Sequence, residues 1–187
     1  MKFKKLKLDN FSYLLLSSVL GAAVWGVFGP FYILYIQRLG GGLENFGFAL
    51  GLFSIANSIT SYFVGKYSDK FGRKPFMIVT SLAYGIIIFS YTLVASVAQL
   101  FALQIIFGVI DSAWKISETA FLGDITKKKH RGRILGTYNF VLGTLEGVAM
   151  LFSGVLVGVM GFQIIFYLTA AANLVSAIPL FFIKEKR

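Results

Sequence analysis

Apolar positions along this chain come in long unbroken runs rather than in the stripes of a soluble helix or the alternation of a half-buried strand. Six runs, at about 11–36, 46–65, 75–94, 98–123, 134–157 and 162–183, are separated by short clusters of charge. Crossing about 30 Å of hydrocarbon takes roughly 20 apolar residues of helix, so each run predicts one membrane-spanning helix. Helices are preferred to the strands of a membrane barrel, which are short segments of alternating polarity. The pattern predicts an all-α integral membrane protein in which residues 1–187 form a single six-helix transmembrane domain. Lys2-Phe3-Lys4-Lys5-Leu6-Lys7 precedes the first run as it would in a signal peptide, but the apolar part is too long for one, and a retained first helix is expected.

Composition strengthens the picture. Hydrophobic residues make up 57% of the chain and charged residues 14%, with a mean hydropathy of +0.76, more apolar surface than a water-soluble domain of this size can bury. Net charge is +10, which raises the question of nucleic acid, and Lys127-Lys128-Lys129-His130-Arg131-Gly132-Arg133 looks like a basic patch. The distribution answers it. Of the 18 basic residues, all but Arg38 and Lys115 fall before the first run, after the second, after the fourth or after the sixth, which places them on one side of the membrane. That is the positive-inside bias of a plasma (inner) membrane protein with both termini in the cytoplasm. The basic loops are expected to meet anionic lipid headgroups rather than nucleic acid.

The chain has no cysteine, and His130 is its one histidine, without carboxylate company. No nucleophile constellation, cofactor motif or metal-ligand set appears, so an enzyme is not expected. The outer connections, Gly40-Gly41-Gly42-Leu43-Glu44-Asn45, Ser96-Val97-Ala98 and Met160-Gly161, leave no room for a receptor domain.

The segment Gly65-Lys66-Tyr67-Ser68-Asp69-Lys70-Phe71-Gly72-Arg73-Lys74-Pro75 is a tight charged hairpin between the second and third runs. Gly65 and Gly72 permit close packing and a positive backbone dihedral, Pro75 suits the first turn of a helix, and Arg73 can hold Asp69. Gly65, Asp69, Gly72, Arg73 and Lys74 match G-x-x-x-D-[RK]-x-G-R-[RK], and the chain thereby resembles the major facilitator superfamily of transporters. Gly123-Asp124, Arg131-Gly132 and Gly136 resemble that family's element in the loop between helices four and five, and Gly161-Phe162-Gln163 its approach to helix six. The resemblance covers the whole chain but half of the family's usual twelve helices. It implies two three-helix repeats of inverted topology and a conformational latch (motif A) at Gly65, Asp69, Gly72, Arg73 and Lys74. It also implies the family's cytoplasmic loop motif between helices four and five at Asp124, Arg131 and Gly132. The proton-driven drug antiporters of the family carry an arginine where this chain has Gln104 and a Gly-Pro pair in helix five where it reads Gly143-Thr144-Leu145-Glu146-Gly147. Drug antiport is not supported by those two positions.

Charges inside membrane helices are costly and mark either function or a partner. Asp111, Lys115 and Glu118 share one face of the fourth helix at spacings of four and three, and Gln104 extends that stripe. Lys115 can pair with Asp111 or Glu118; the plain alternative is a buried ion pair that only fixes packing. Glu146 lies in the middle of the fifth helix with Asn139 two turns before it and no basic neighbour. Trp25, with Ser18, Gly21 and Tyr32, marks the first helix, and Ser54, Asn57, Ser58 and Ser61 the second, while the third and sixth helices are expected to face lipid. The expected function is secondary active transport of a small solute by alternating access. Trp25, Gln104, Asp111, Lys115, Glu118 and Glu146 are its expected substrate or proton site, and Asp69 with Arg73 its latch. One half cannot enclose a central cavity, so the expected partner is a second copy or a separate second half. The alternatives are a non-transporting membrane interaction or regulatory protein and an inactive truncated half-transporter.

Overall fold

The computed structural model describes residues 9–29 and 32–184. Lys2, Lys4, Lys5, Lys7, Lys186 and Arg187, assigned above to the basic side, lie outside the described residues. The first run forms two helices, α1 (Asn10–Phe28) and α2 (Tyr32–Arg38), rather than one. Asp9 caps α1: its carboxylate accepts the Ser12 backbone N–H at 2.9 Å and the Ser12 hydroxyl at 2.8 Å, two bonds to the ionised form that hold its pKa below the ordinary carboxylate value. The chain continues as α3 (Leu43–Phe71), α4 (Arg73–Ser90), a 3₁₀ turn at Tyr91–Leu93, α5 (Val97–Asp124), a second 3₁₀ turn at Lys128–His130, and α6 (Arg131–Phe181). Ser96 caps α5 by accepting the Gln99 N–H, and Gln99 returns its side-chain oxygen to the Ala95 N–H at 2.8 Å.

α6 is a hairpin. Gly161 breaks it with φ 77° and ψ 162°, a backbone that residues with a Cβ rarely adopt. Tyr138 near its start and Leu180 near its end then share one hydrophobic cluster with Leu14, Met77 and Phe121. Its two limbs, with α1, α3, α4 and α5, are the elements long and apolar enough to cross a membrane. A second cluster, holding Tyr35, Ala49, Ile88, Tyr91, Leu100 and Phe166, lies at the other end. Basic residues 70–74, 127–133 and 184 therefore gather at one end of the bundle, and the short loops before α3, before α5 and at Gly161 at the other.

The packing has the symmetry of an inverted repeat. α1 lies along α6, α3 along α5, and α4 against both α5 and the second limb of α6. Exchanging the first three spanning helices with the last three turns the crossing of α1 with the first limb of α6 into that of α5 with α3. Glycine opens both crossings: a Cβ on Gly26 would sit 2.3 Å from the Glu146 carbonyl oxygen, and one on Gly108 2.4 Å from that of Phe53.

Outward exposure is not confined to the third and sixth helices. α4 and the second limb of α6 each turn one apolar face outward, but their other faces meet along a polar seam in which the Ser81 and Ser176 hydroxyls lie 2.9 Å apart and Ser81 reaches the Asn173 carbonyl at 3.4 Å. α3 and the first limb of α6 are the barest, with Tyr62, Leu151 and Val159 at 74%, 79% and 81% exposure.

Candidate functional site

α5 carries the charged stripe through the centre of the bundle, and neighbouring helices decide what each charge meets. Asp111 is fully buried. Its Oδ1 accepts the Tyr84 hydroxyl of α4 at 2.8 Å, and its Oδ2 accepts Asn57 Nδ2 of α3 at 2.8 Å and Lys115 Nζ, one turn along α5, at 2.9 Å. One carboxylate thus joins three helices, with its charge matched by an ammonium whose side chain is 63% exposed.

Glu118 joins α5 to the remaining neighbours, α1 and α6. Its Oε1 lies 2.7 Å from the Ser18 hydroxyl of α1 and 2.5 Å from the Tyr138 hydroxyl of α6, and those two hydroxyls are 2.6 Å apart. Of the two pairings open to Lys115, the structure shows the one with Asp111; three residues further on, Glu118 points towards α1 and α6 and takes hydroxyl donors instead.

Between α1, α4, α5 and both limbs of α6 lies a cavity of about 160 Å³. Trp25, Asp111, Lys115, Glu118 and Glu146 line it together. Gln104 does not: it is buried beside Tyr32, to whose hydroxyl its side-chain amide donates, and so ties α5 to α2. Asn139, Ser54 and Ser58 are exposed, and Ser61 is spent on the Ser58 carbonyl at 2.7 Å. The residues not foreseen are Tyr84 and Tyr138, which donate to the two carboxylates, and Trp114, which lines the cavity. They lie within apolar runs, and nothing in the sequence separates them from other membrane aromatics.

At the basic end, Gly72 (φ 93°, ψ 160°) ends α3 by donating its N–H to the Ser68 carbonyl and begins α4. The Arg73 guanidinium reaches the Asp69 carboxylate, the Ser68 hydroxyl at 2.7 Å and Asp124 Oδ2 at 3.5 Å, so the hairpin is clasped to the end of α5. Lys74 Nζ donates to the carbonyls of Phe181 and Ile183 at 2.8 and 2.7 Å, satisfying the end of α6. Arg131 donates to the Gly123 carbonyl at 2.8 Å, whereas Gly65 and Gly132 have open space where a side chain would go. His130 is exposed, and among the described residues no cluster of acidic, histidine or cysteine side chains could hold a metal ion.

A six-helix bundle with inverted pairing, intramembrane charges on its fourth span and a clasped hairpin after its second defines a class of membrane transporters, and comparison with known proteins agrees. The family model described as Major Facilitator Superfamily matches residues 14–187, and the chain belongs to that family. It is 26% identical over 149 residues to the uncharacterized MFS-type transporter YitZ of Bacillus subtilis, a match covering 80% of this chain and 91% of that protein. It is 31% identical over 165 residues to the uncharacterized MFS-type transporter YuxJ of the same organism, and 29% identical over 184 residues to the multi-drug resistance efflux pump PmrA of Streptococcus pneumoniae. These two alignments cover 84% and 95% of this chain but 41% and 45% of the relatives, so it spans less than half of their length.

Proposed function

We propose that this protein carries a small solute across the plasma membrane by alternating access, with the solute and a proton using the cavity between α1, α4, α5 and α6. The observation that supports this best is the meeting of Trp25, Asp111, Lys115, Glu118 and Glu146, from three helices, around one intramembrane cavity. A packing ion pair accounts for Asp111 and Lys115, but not for two further carboxylates on the same cavity. Glu146 is the proposed proton-coupling group, Asp69 with Arg73 the latch, and both termini lie in the cytoplasm with the basic end of the bundle.

A second copy, or a separate second half, completes the transporter in this reading. The bare faces of α3 and the first limb of α6 carry Ser54, Ser58 and Asn139, polar groups better suited to water or protein than to lipid. PmrA is named as a multi-drug efflux pump, which makes an organic solute the natural class to test first. The purified chain in vesicles should show solute counterflow above protein-free vesicles, and Asp69→Cys with Arg133→Cys should cross-link between copies when the basic side closes. Absence of counterflow by the chain, alone and with any co-purifying partner, would leave the interaction-protein reading in its place.

A further inference from the structure

The cavity has an imbalance of charge that identifies what it can hold. Asp111 is answered by Lys115, Asn57 and Tyr84. Glu118 is answered by the Ser18 and Tyr138 hydroxyls. Glu146 is half-buried, lines the same cavity, and among the described residues has no hydrogen bond or ion pair. Around it the titratable groups are Asp111, Lys115 and Glu118 of α5, Tyr84 of α4 and Tyr138 of α6; α1 brings hydroxyls and an indole, and the second limb of α6 uncharged polar groups. Three carboxylates thus face one ammonium, which is already paired. An anion entering this space meets three carboxyl groups and, among the described residues, no unpaired cation, and a neutral solute leaves Glu146 without a partner.

A second feature is independent of charge. The Ser17 hydroxyl lines the cavity, is 1% exposed, and has no hydrogen-bond partner. Buried hydroxyls are rarely left so. Asn173 lines the same space with its amide nitrogen committed to the Thr169 carbonyl at 3.0 Å, which leaves its side-chain oxygen as an acceptor. Both tryptophans of the chain, Trp25 and Trp114, complete the wall. An acid, two acceptor oxygens and two indole rings match an ammonium group, which has three N–H donors and no acceptor, carried on an apolar or aromatic body.

We propose that the cavity binds a small organic cation, a protonated amine with an apolar or aromatic group, with Glu146 as its counter-ion and Trp25 and Trp114 against its apolar part. The proposal rests on the reading of this cavity as the solute site and names the chemical class of that solute. It also gives the coupling a physical form: proton and ammonium compete for one carboxylate, so that either leaves when the other arrives.

Because both tryptophans line the cavity, intrinsic fluorescence of the purified protein in mild detergent reports its occupancy. Three probes of equal shape, phenethylammonium, 2-phenylethanol and phenylacetate, are titrated at neutral pH. Phenethylammonium should give a saturable change that the alcohol and the acid do not give at tenfold higher concentration. Glu146→Gln should weaken it at least about tenfold, whereas Glu146→Asp, which keeps the charge, should bind within a few-fold of wild type and guards against a folding defect. Binding should weaken as pH falls and protons occupy the carboxylate. A saturable response to the alcohol or the acid at least as strong, no response to phenethylammonium, or unchanged binding in a folded Glu146→Gln protein each overturns the proposal. Counterflow of another solute would still support transport, so the two readings fail separately.

Discussion

Gly72 and Gly161 hold nearly the same backbone conformation, φ 93° and ψ 160° against φ 77° and ψ 162°, at the two hairpins that the inverted repeat exchanges. One joins the second and third spans, the other the fifth and sixth. A φ near +80° with ψ near 160° is a conformation almost confined to glycine, so Gly72→Ala and Gly161→Ala should each lower stability by about 1–3 kcal/mol, and the two losses should add. Gly65→Ala, in a helix with open space beside it, should cost nothing measurable. Thermal unfolding in detergent distinguishes the three.

Lys115→Met leaves the fully buried Asp111 without its cation. Removing one member of a buried pair costs roughly 3–5 kcal/mol, and the exposed lysine side chain places the expected loss at the low end, about 3 kcal/mol. Adding Asp111→Asn should restore most of it, since the amide still offers an acceptor to Tyr84 or Asn57 without a charge to balance. A double variant as unstable as the single one would show that charge is not the cause.

Asp9 supplies a pH dependence with a definite sign. Its folded pKa lies below the ordinary 3.8, so its capping contribution is complete above about pH 4 and is lost as pH falls through the lower folded value. Asp9→Ala should cost about 1 kcal/mol at pH 7 and progressively less below pH 4. An unfolding-midpoint difference that stays constant from pH 7 to pH 3 would contradict this.

The spans were legible because hydrocarbon demands an unbroken apolar run, whatever the packing. The hairpin at Gly72 was legible because few residues other than glycine adopt its backbone. The break between α1 and α2 was not read, although Gly29-Pro30 in the sequence is its signal. At the site, the stripe Asp111, Lys115, Glu118 follows from helical spacing alone, but its partners do not. Which hydroxyl reaches which carboxylate depends on the register between helices, and that register is set by close contacts such as Gly26 on Glu146 and Gly108 on Phe53. The same limit hid the seam of Ser81 and Ser176, whose hydroxyls look like isolated polar residues within apolar runs.

Topology can be tested without removing any native thiol, since the chain has no cysteine. Leu43 is 73% exposed at the start of α3, and Lys128 is exposed in the turn before α6. Cysteine at Leu43 should react with an impermeant maleimide only from outside intact cells, and cysteine at Lys128 only after the inner face is opened. Labelling of both from the same side would end the six-span arrangement.

The most direct test of proton-coupled transport through this cavity is solute accumulation in vesicles under an imposed pH gradient, compared between wild type and Glu146→Gln. Wild type should show a gradient-driven component that collapses when a protonophore is added, and Glu146→Gln, folded and inserted to the same level, should show none of it. Gradient-driven accumulation that persists undiminished in Glu146→Gln would remove the carboxylate, and with it this cavity, from the coupling mechanism.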